Sequence, residues 1–427
     1  MTSEARKTTA PSAPPGGASS LWTRLGLVLA VVGPGIITSN VDNDAGGITT
    51  YSLAGADFGL GLLWTLLPIT LVLILVQDMS ARMGAVSGKG LAALIRERFG
   101  AGVTFYLMIG LLLTNLANTI AEFAGVAAAM QIFGVDAHIS VPLAALLVWF
   151  LVIKASYKAV EKVFLWACLF YVSYLISGFM AGPDWGQVWG ALTHPRLELG
   201  GESLTMVMGL VGTTIAPWMQ FYLQASVVDK GITYRQYNIL RWHVIAGSIS
   251  VSVVAFFIVL LCAVTLHSRG IHIESAEQAA LALAPLAGKY AASLFAFGLL
   301  NASLFSASIL PLSTAYTVCE AFGWEASLNN RFTEAPQFYV LYSLMIVAGA
   351  LSVMWPHMPL IAIMYLSQVL NGLVLPAIMI FMVLLINDPR VMGTHTPSLA
   401  NNLLSWTTVA LLVLISLFMV FQTILGR

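Results

Sequence analysis

Apolar runs of about twenty residues, each bounded by charge, proline or glycine, recur along the chain from residue 24 to residue 425. Their lengths predict helices rather than strands, and eleven segments meet the criterion: 24–57, 60–82, 102–133, 139–156, 160–181, 202–228, 240–266, 286–322, 336–355, 358–387 and 401–425. Two of them are not continuous. The first is interrupted by "NVDNDAGG", Asn40 to Gly47, and the sixth by "GTTIAPW", Gly212 to Trp218. A helix in lipid must satisfy its backbone internally, so such breaks survive only where protein or a wet cavity receives the freed groups.

The breaks open two successive blocks of five spans, with the eleventh appended. Paired broken helices at corresponding positions of two halves point to an inverted-repeat secondary transporter with its site at the midplane. The freed carbonyls at the end of each first half-helix suit a cation. Asp44 adds a full charge beside them. A carboxylate at that depth costs several kcal/mol unless compensated, and a bound cation compensates it. The alternative is structural, with Asp44 capping the second half-helix. Of Asp42 and Asn43, consecutive on an unwound segment, one is expected to face the cavity and the other to pack.

Composition agrees with this pattern: 59% of the 427 residues are hydrophobic and 9% charged, against about 25% charged in soluble domains. We expect an all-α integral membrane protein with one polytopic transporter domain, residues 23–427, behind a disordered cytoplasmic tail, residues 1–22, rich in Pro, Gly, Ser and Thr. Of the 19 Lys and Arg residues, only Arg196, Arg269, Lys289 and Arg427 fall outside if the N-terminus is cytoplasmic and the eleven spans are real. That places the C-terminus outside; the expected protein is a monomer in the plasma membrane. The outer loops collect Asp136, Asp184, Glu198, Glu202, Glu274 and Glu277, either as solvated surface or as a field that concentrates cations. The net charge of zero gives no sign of a nucleic-acid partner.

Other features carry less. Cys168, Cys262 and Cys319 lie in apolar runs without metal or redox spacing and read as packing residues. His243, His267, His272 and His395 lack ligand spacing, and Met206, Met208 and Met219 read as packing, although Met219 lies near the second break. Trp185 and Trp189 read as interfacial anchors, and Leu91 to Gly100 as an amphipathic helix on the cytoplasmic surface. Neither a phosphate-binding G-x-x-x-x-G-K-[ST] nor a G-x-S-x-G elbow occurs, so ATP-driven pumping and hydrolysis have no support. The protein is not expected to be an enzyme or to hold a cofactor.

The stretch "GPGIITSNVDNDAGG", from Gly33, resembles the first span of the NRAMP divalent-metal transporters, where the motif D-P-G-N holds the metal. Here the tetrad is Asp44-Ala45-Gly46-Gly47: the aspartate and central glycine remain and the asparagine ligand is replaced. Where that family carries A-x-x-M-P-H in the sixth span, this chain has Thr213, Thr214, Ile215, Ala216, Pro217 and Trp218, so Ala216 replaces the sulfur ligand. In the third span Glu122 is kept, with Thr119 at the proton-accepting aspartate. "SQVLNGLVLP" resembles the tenth-span motif and puts Gln368 near the site. These departures, with "APWMQFYLQASVVDKG", resemble the NRAMP-related magnesium branch.

The resemblance implies the leucine-transporter-like fold and a transported ion, Mg²⁺ or Mn²⁺, bound at Asp44 with oxygens near Thr213 to Ala216, and with Asp42, Asn43 or Gln368. Thioethers favour later, softer metals, whereas oxygen donors suit hard cations. Mg²⁺ also keeps several waters, and Gly47 and Ala216 leave room for them. A larger, wetter site is therefore expected. Thr119 and Trp218 do not titrate usefully; Glu122 is either a proton relay or a neutral core residue. The reading is uncoupled, potential-driven import, with proton-coupled Mn²⁺ or Fe²⁺ import and cation-coupled amino-acid symport as alternatives.

Overall fold

The computed structural model describes residues 43–154, 168–195, 200–325 and 332–425. The described residues form helices joined by turns, with no strand among them. In chain order the principal helices are α1 (Ala45–Phe58), α2 (Leu66–Ser87), α3 (Leu91–Phe99), α4 (Ala101–Ile132), α5 (Ala137–Lys154), α6 (Val172–Met180), α7 (Trp185–Thr193), α8 (Gly201–Thr214), α9 (Pro217–Asp229), α10 (Tyr237–Thr265), α11 (Ala291–Phe322), α12 (Pro336–Val353), α13 (Leu360–Ile386) and α14 (Leu399–Leu425).

Eight helical segments among the described residues are long and apolar enough to cross a bilayer, with α8 and α9 forming one of them. The three other expected spans are α5, whose apolar stretch is slightly shorter, and the first and fifth, parts of which lie outside the described residues. The eleven-span reading is consistent with this arrangement. One boundary moves: the apolar run 286–322 becomes helical as a long span only at Ala291. Gly288 adopts φ 51°, ψ −122°, a conformation closed to most side chains, and breaks the run into short turns.

Contacts between the helices follow the two-unit pattern. The second half of the first span, α1, packs along α10, the seventh span, while the second half of the sixth span, α9, packs along α2, the second. At the centre α4 and α11, the third and eighth spans, run against each other, and α13 lies on α4 and α8. With no hydrophobic drive between helices in lipid, such approach needs small residues. A Cβ on Gly125 of α4 would stand 2.3 Å from Ser303 Oγ of α11 and 2.5 Å from Ala45 Cβ of α1. Three helices therefore converge one turn from Glu122.

Apolar side chains also cover the outside. Leu403, Leu411, Leu414 and Leu417 of α14 and Leu143, Leu146 and Phe150 of α5 are exposed, as expected where lipid tails are the solvent. One cluster of charge joins α2 to α10. There the buried Asp78 of α2 pairs with Arg82 at 2.7 Å and Arg241 at 3.5 Å and accepts from the Tyr237 hydroxyl. The amphipathic α3 buries Leu91, Ala92, Leu94 and Ile95 in protein. Its charged side pairs Lys89 with Glu97 and Arg98 with Asp388. Trp185 and Trp189 sit exposed on the short helix α7.

Candidate metal site

Asp44 is the N-cap of α1. Its backbone is extended and its Oδ1 accepts from the Gly47 N–H at 2.6 Å, the bond that a capping aspartate makes. Gly47 thus supplies a backbone donor to Asp44. Glu122, on α4, serves the same helix end: its Oε2 accepts from Ala45 N–H at 3.4 Å. The two carboxylates thus meet at one half-helix terminus, both buried, at 6% and 0% exposure. Beyond these caps the two carboxyl groups also interact with each other.

The second break is built by Pro217. It occupies the first position of α9 and has no N–H, so the Thr213 carbonyl lacks the donor that a continuous helix would give it. α8 stops at Thr214, with Ile215 and Ala216 in non-helical conformations. The negative end of the α8 dipole is thereby exposed at the break. Thr213 Oγ1 is buried without a partner.

Two links show that these breaks are neighbours. The Tyr51 hydroxyl of α1 bonds Thr214 Oγ1 at 2.7 Å. Gln368 of α13 then touches both. A Cβ on Gly46 would lie 1.9 Å from Gln368 Nε2, and a Cβ on Gly212 would lie 1.9 Å from the Gln368 carbonyl oxygen. Gly46 admits the Gln368 side chain to the first half-helix, and Gly212 lets the α13 backbone at Gln368 and Gly372 close on α8.

Of the residues expected at the site, Asp44, Gly47, Thr213, Ala216, Gln368 and Glu122 come together around the two breaks. Asn43 adds a buried Oδ1 without a partner, while its carbonyl accepts from the Tyr171 hydroxyl. Asp42 lies outside the described residues. Thr119 donates to the Asn115 carbonyl at 2.8 Å and packs against Gly349, and Trp218 is buried beside Tyr222. Neither brings a titratable group to the pair of carboxylates.

The expected wet opening is not present in this conformation. Asn43, Asp44, Thr213, Ala216 and Gln368 are all buried, because Tyr51 and Gln368 draw the half-helices together. A cavity of about 770 Å³ instead lies toward the far end of α1, lined by Asp57, Glu202, His272 and Tyr365 among others. Tyr365 lines it from α13. A Cβ on Gly209 would stand 2.9 Å from its ring and 3.3 Å from Thr50, and Gln368 follows one helical turn later.

Sequence reasoning missed Tyr51, Tyr171, Asn118 and Asn371. The last two form a reciprocal amide pair between α4 and α13, at 3.0 Å in each direction. Their signal was present: Asn115, Asn118 and Glu122 recur at helical spacing, as do Gln368 and Asn371, giving polar stripes on apolar helices. Among the described residues no group of three or more His, Cys, Asp or Glu side chains could hold a metal. Any ion here must complete its shell from amides, hydroxyls, carbonyls and water.

Residues 35–422 match the model of the Nramp family, described as natural resistance-associated macrophage protein-like. The chain belongs to the Nramp family. It is accordingly a multi-pass membrane transporter of metal ions and not an enzyme. Its fold is that of the manganese transporter from Eremococcus coleocola, solved with an aromatic bis-isothiourea compound: TM-score 0.74 at 22% identity, over 95% of this chain and 88% of that one. A mutant of the same transporter gives 0.72 at 22% identity, over 96% and 89%. The leucine-transporter-like architecture extends further, to the nucleobase-cation-symport-1 family transporter Mhp1 in a closed conformation with bromovinylhydantoin bound. There the TM-score is 0.56 at 14% identity, over 86% of this chain and 80% of that one.

Proposed function

We propose that this Nramp protein imports Mg²⁺, and Mn²⁺ with it, by alternating access and without proton coupling, as a monomer in the plasma membrane with its N-terminus in the cytoplasm. The ion sits partly hydrated between Asp44 and the break at Thr213 to Ala216, with Asn43 and Gln368 as further oxygen donors. One observation carries the reading: Ala216, the cap of α9 at the second break, offers a methyl group and a carbonyl but no sulfur. A shell of carboxylate, amide and carbonyl oxygens does not discriminate against a hard cation. Mg²⁺ needs only one or two carboxylates when it keeps its waters. Asp44 supplies one.

The driving force is the membrane potential, worth roughly 2.3 kcal/mol per charge per 100 mV. The titratable partners of a proton path are absent at Thr119 and Trp218. The contact of Glu122 with the cap of α1 favours proton-coupled Mn²⁺ or Fe²⁺ import as the second reading. Amino-acid symport is disfavoured, because the N–H groups at Ala45 and Gly47 that would receive a substrate carboxylate already serve Glu122 and Asp44. Competition tests the ion: in proteoliposomes, millimolar Mg²⁺ should suppress Mn²⁺ uptake. Mn²⁺ uptake indifferent to Mg²⁺ would contradict the hard-cation site.

A further inference from the structure

Gln368 is held by more than packing. Its Oε1 accepts from Asn371 Nδ2 at 2.9 Å, and Asn371 in turn exchanges hydrogen bonds with Asn118 of α4. All three side chains are buried, at 1% exposure each. The polarity of this ladder is set by a neighbour. Ser367 directs its hydroxyl proton to the Met364 carbonyl at 2.8 Å, so its oxygen is left as an acceptor. The Gln368 atom 3.1 Å from it must therefore be the amide nitrogen. As a result Nε2, a donor, is the atom that faces Gly46 and the half-helix of Asp44. A donor cannot ligate a cation.

The ladder has a second arrangement of the same quality. If the amides of Asn118 and Asn371 both turn over, their reciprocal pair re-forms, and Asn371 presents Oδ1 instead of Nδ2 to Gln368. Gln368 can then turn over as well, donating Nε2 to Asn371 and bringing Oε1 round toward α1. Only the bond to Ser367 is given up, and a cation contact replaces it. Each amide stays paired in both states, as burial requires.

We infer that Asn371, itself held by Asn118, is a positioning residue that determines which end of the Gln368 amide faces the ion: nitrogen in the closed form described, oxygen when a hard divalent cation arrives. The inference rests on the reading that the ion lies between Asp44 and the second break. It makes a buried, uncharged amide pair a determinant of cation affinity although neither asparagine touches the ion.

A double-mutant cycle on the full-length protein in proteoliposomes tests it, with Mg²⁺ as the probe and KM and maximal rate per monodisperse protein as readouts. Asn371→Leu should raise KM about tenfold or more, the usual scale for groups that orient a metal ligand, with little change in maximal rate. On a Gln368→Ala background the same substitution should leave KM unchanged, because its target is gone. An equal rise in both backgrounds would overturn the inference and reduce Asn371 to a packing residue. Should Asn371→Leu fail to fold, Asn118→Leu with Asn371→Leu replaces it, since that pair strands no asparagine amide. Gln368→Ala alone reports separately on the underlying reading: an unchanged KM there would remove Gln368 from the ion site.

Discussion

Gln368 Nε2 occupies the space that a side chain on Gly46 would need, 1.9 Å from the position of a Cβ. The α1 half-helix and α13 therefore touch at the central glycine of the Asp44 tetrad. Gly46→Ala should push the glutamine away from the two breaks while leaving α1 helical. Overpacking of this kind costs about 1–3 kcal/mol. Because the clash is with a flexible side chain, the protein is expected to fold and Mg²⁺ uptake to fall sharply. Uptake and melting temperature measured together check this; normal uptake would mean that the contact has no role.

Asp44 has two duties, and they can be separated. Asp44→Ala removes both the charge and the cap, with about 1 kcal/mol of stability lost for the cap. Asp44→Ser keeps an oxygen for the Gly47 N–H but removes the charge. Both variants should be inactive in transport, while only alanine lowers the melting temperature. If serine transports normally, Asp44 is a cap and nothing more.

The break at Ala216 predicts a change of preference. Ala216→Met places a thioether at the cap of α9 and should shift competition from Mg²⁺ toward Mn²⁺, measured as the Mg²⁺ concentration that halves Mn²⁺ uptake. That concentration should rise by about tenfold, or about 1.4 kcal/mol. A fall would contradict the placement of the ion.

The potential gives a fourth test. Two charges crossing with no counter-ion gain roughly 4.6 kcal/mol per 100 mV from an inside-negative potential. Imposing one with a potassium gradient and valinomycin should accelerate Mg²⁺ uptake, and Glu122→Gln, which preserves an acceptor for Ala45 N–H, should respond in the same way. Loss of the response in the variant would assign Glu122 a charge-carrying role.

Much of this was legible in the sequence, for identifiable reasons. Lipid forces long apolar helices, so the spans announce themselves. Pro217 removes a backbone donor wherever it sits, and Asp44 is too costly at that depth to be incidental. The start of α11 was not legible, since Leu286 to Tyr290 was read as part of one apolar run and only the backbone at Gly288 ends the short helix before it. Asn118 and Asn371 were passed over because a neutral amide in an apolar helix looks like packing until its partner is known. Their pairing joins residues 253 positions apart, a distance across which periodicity has nothing to say. The closure of the site was hidden for a similar reason. It depends on Tyr51 and Gln368, which act between helices.

On the proposed mechanism the oxygen-lined break passes Mg²⁺ with no proton moving alongside it. The most direct test is uptake into proteoliposomes loaded in one set with a Mg²⁺ indicator and in another with a pH indicator. The account predicts a rise in internal Mg²⁺ with no acidification. Mn²⁺ entry accompanied by acidification, with no Mg²⁺ signal, would contradict it.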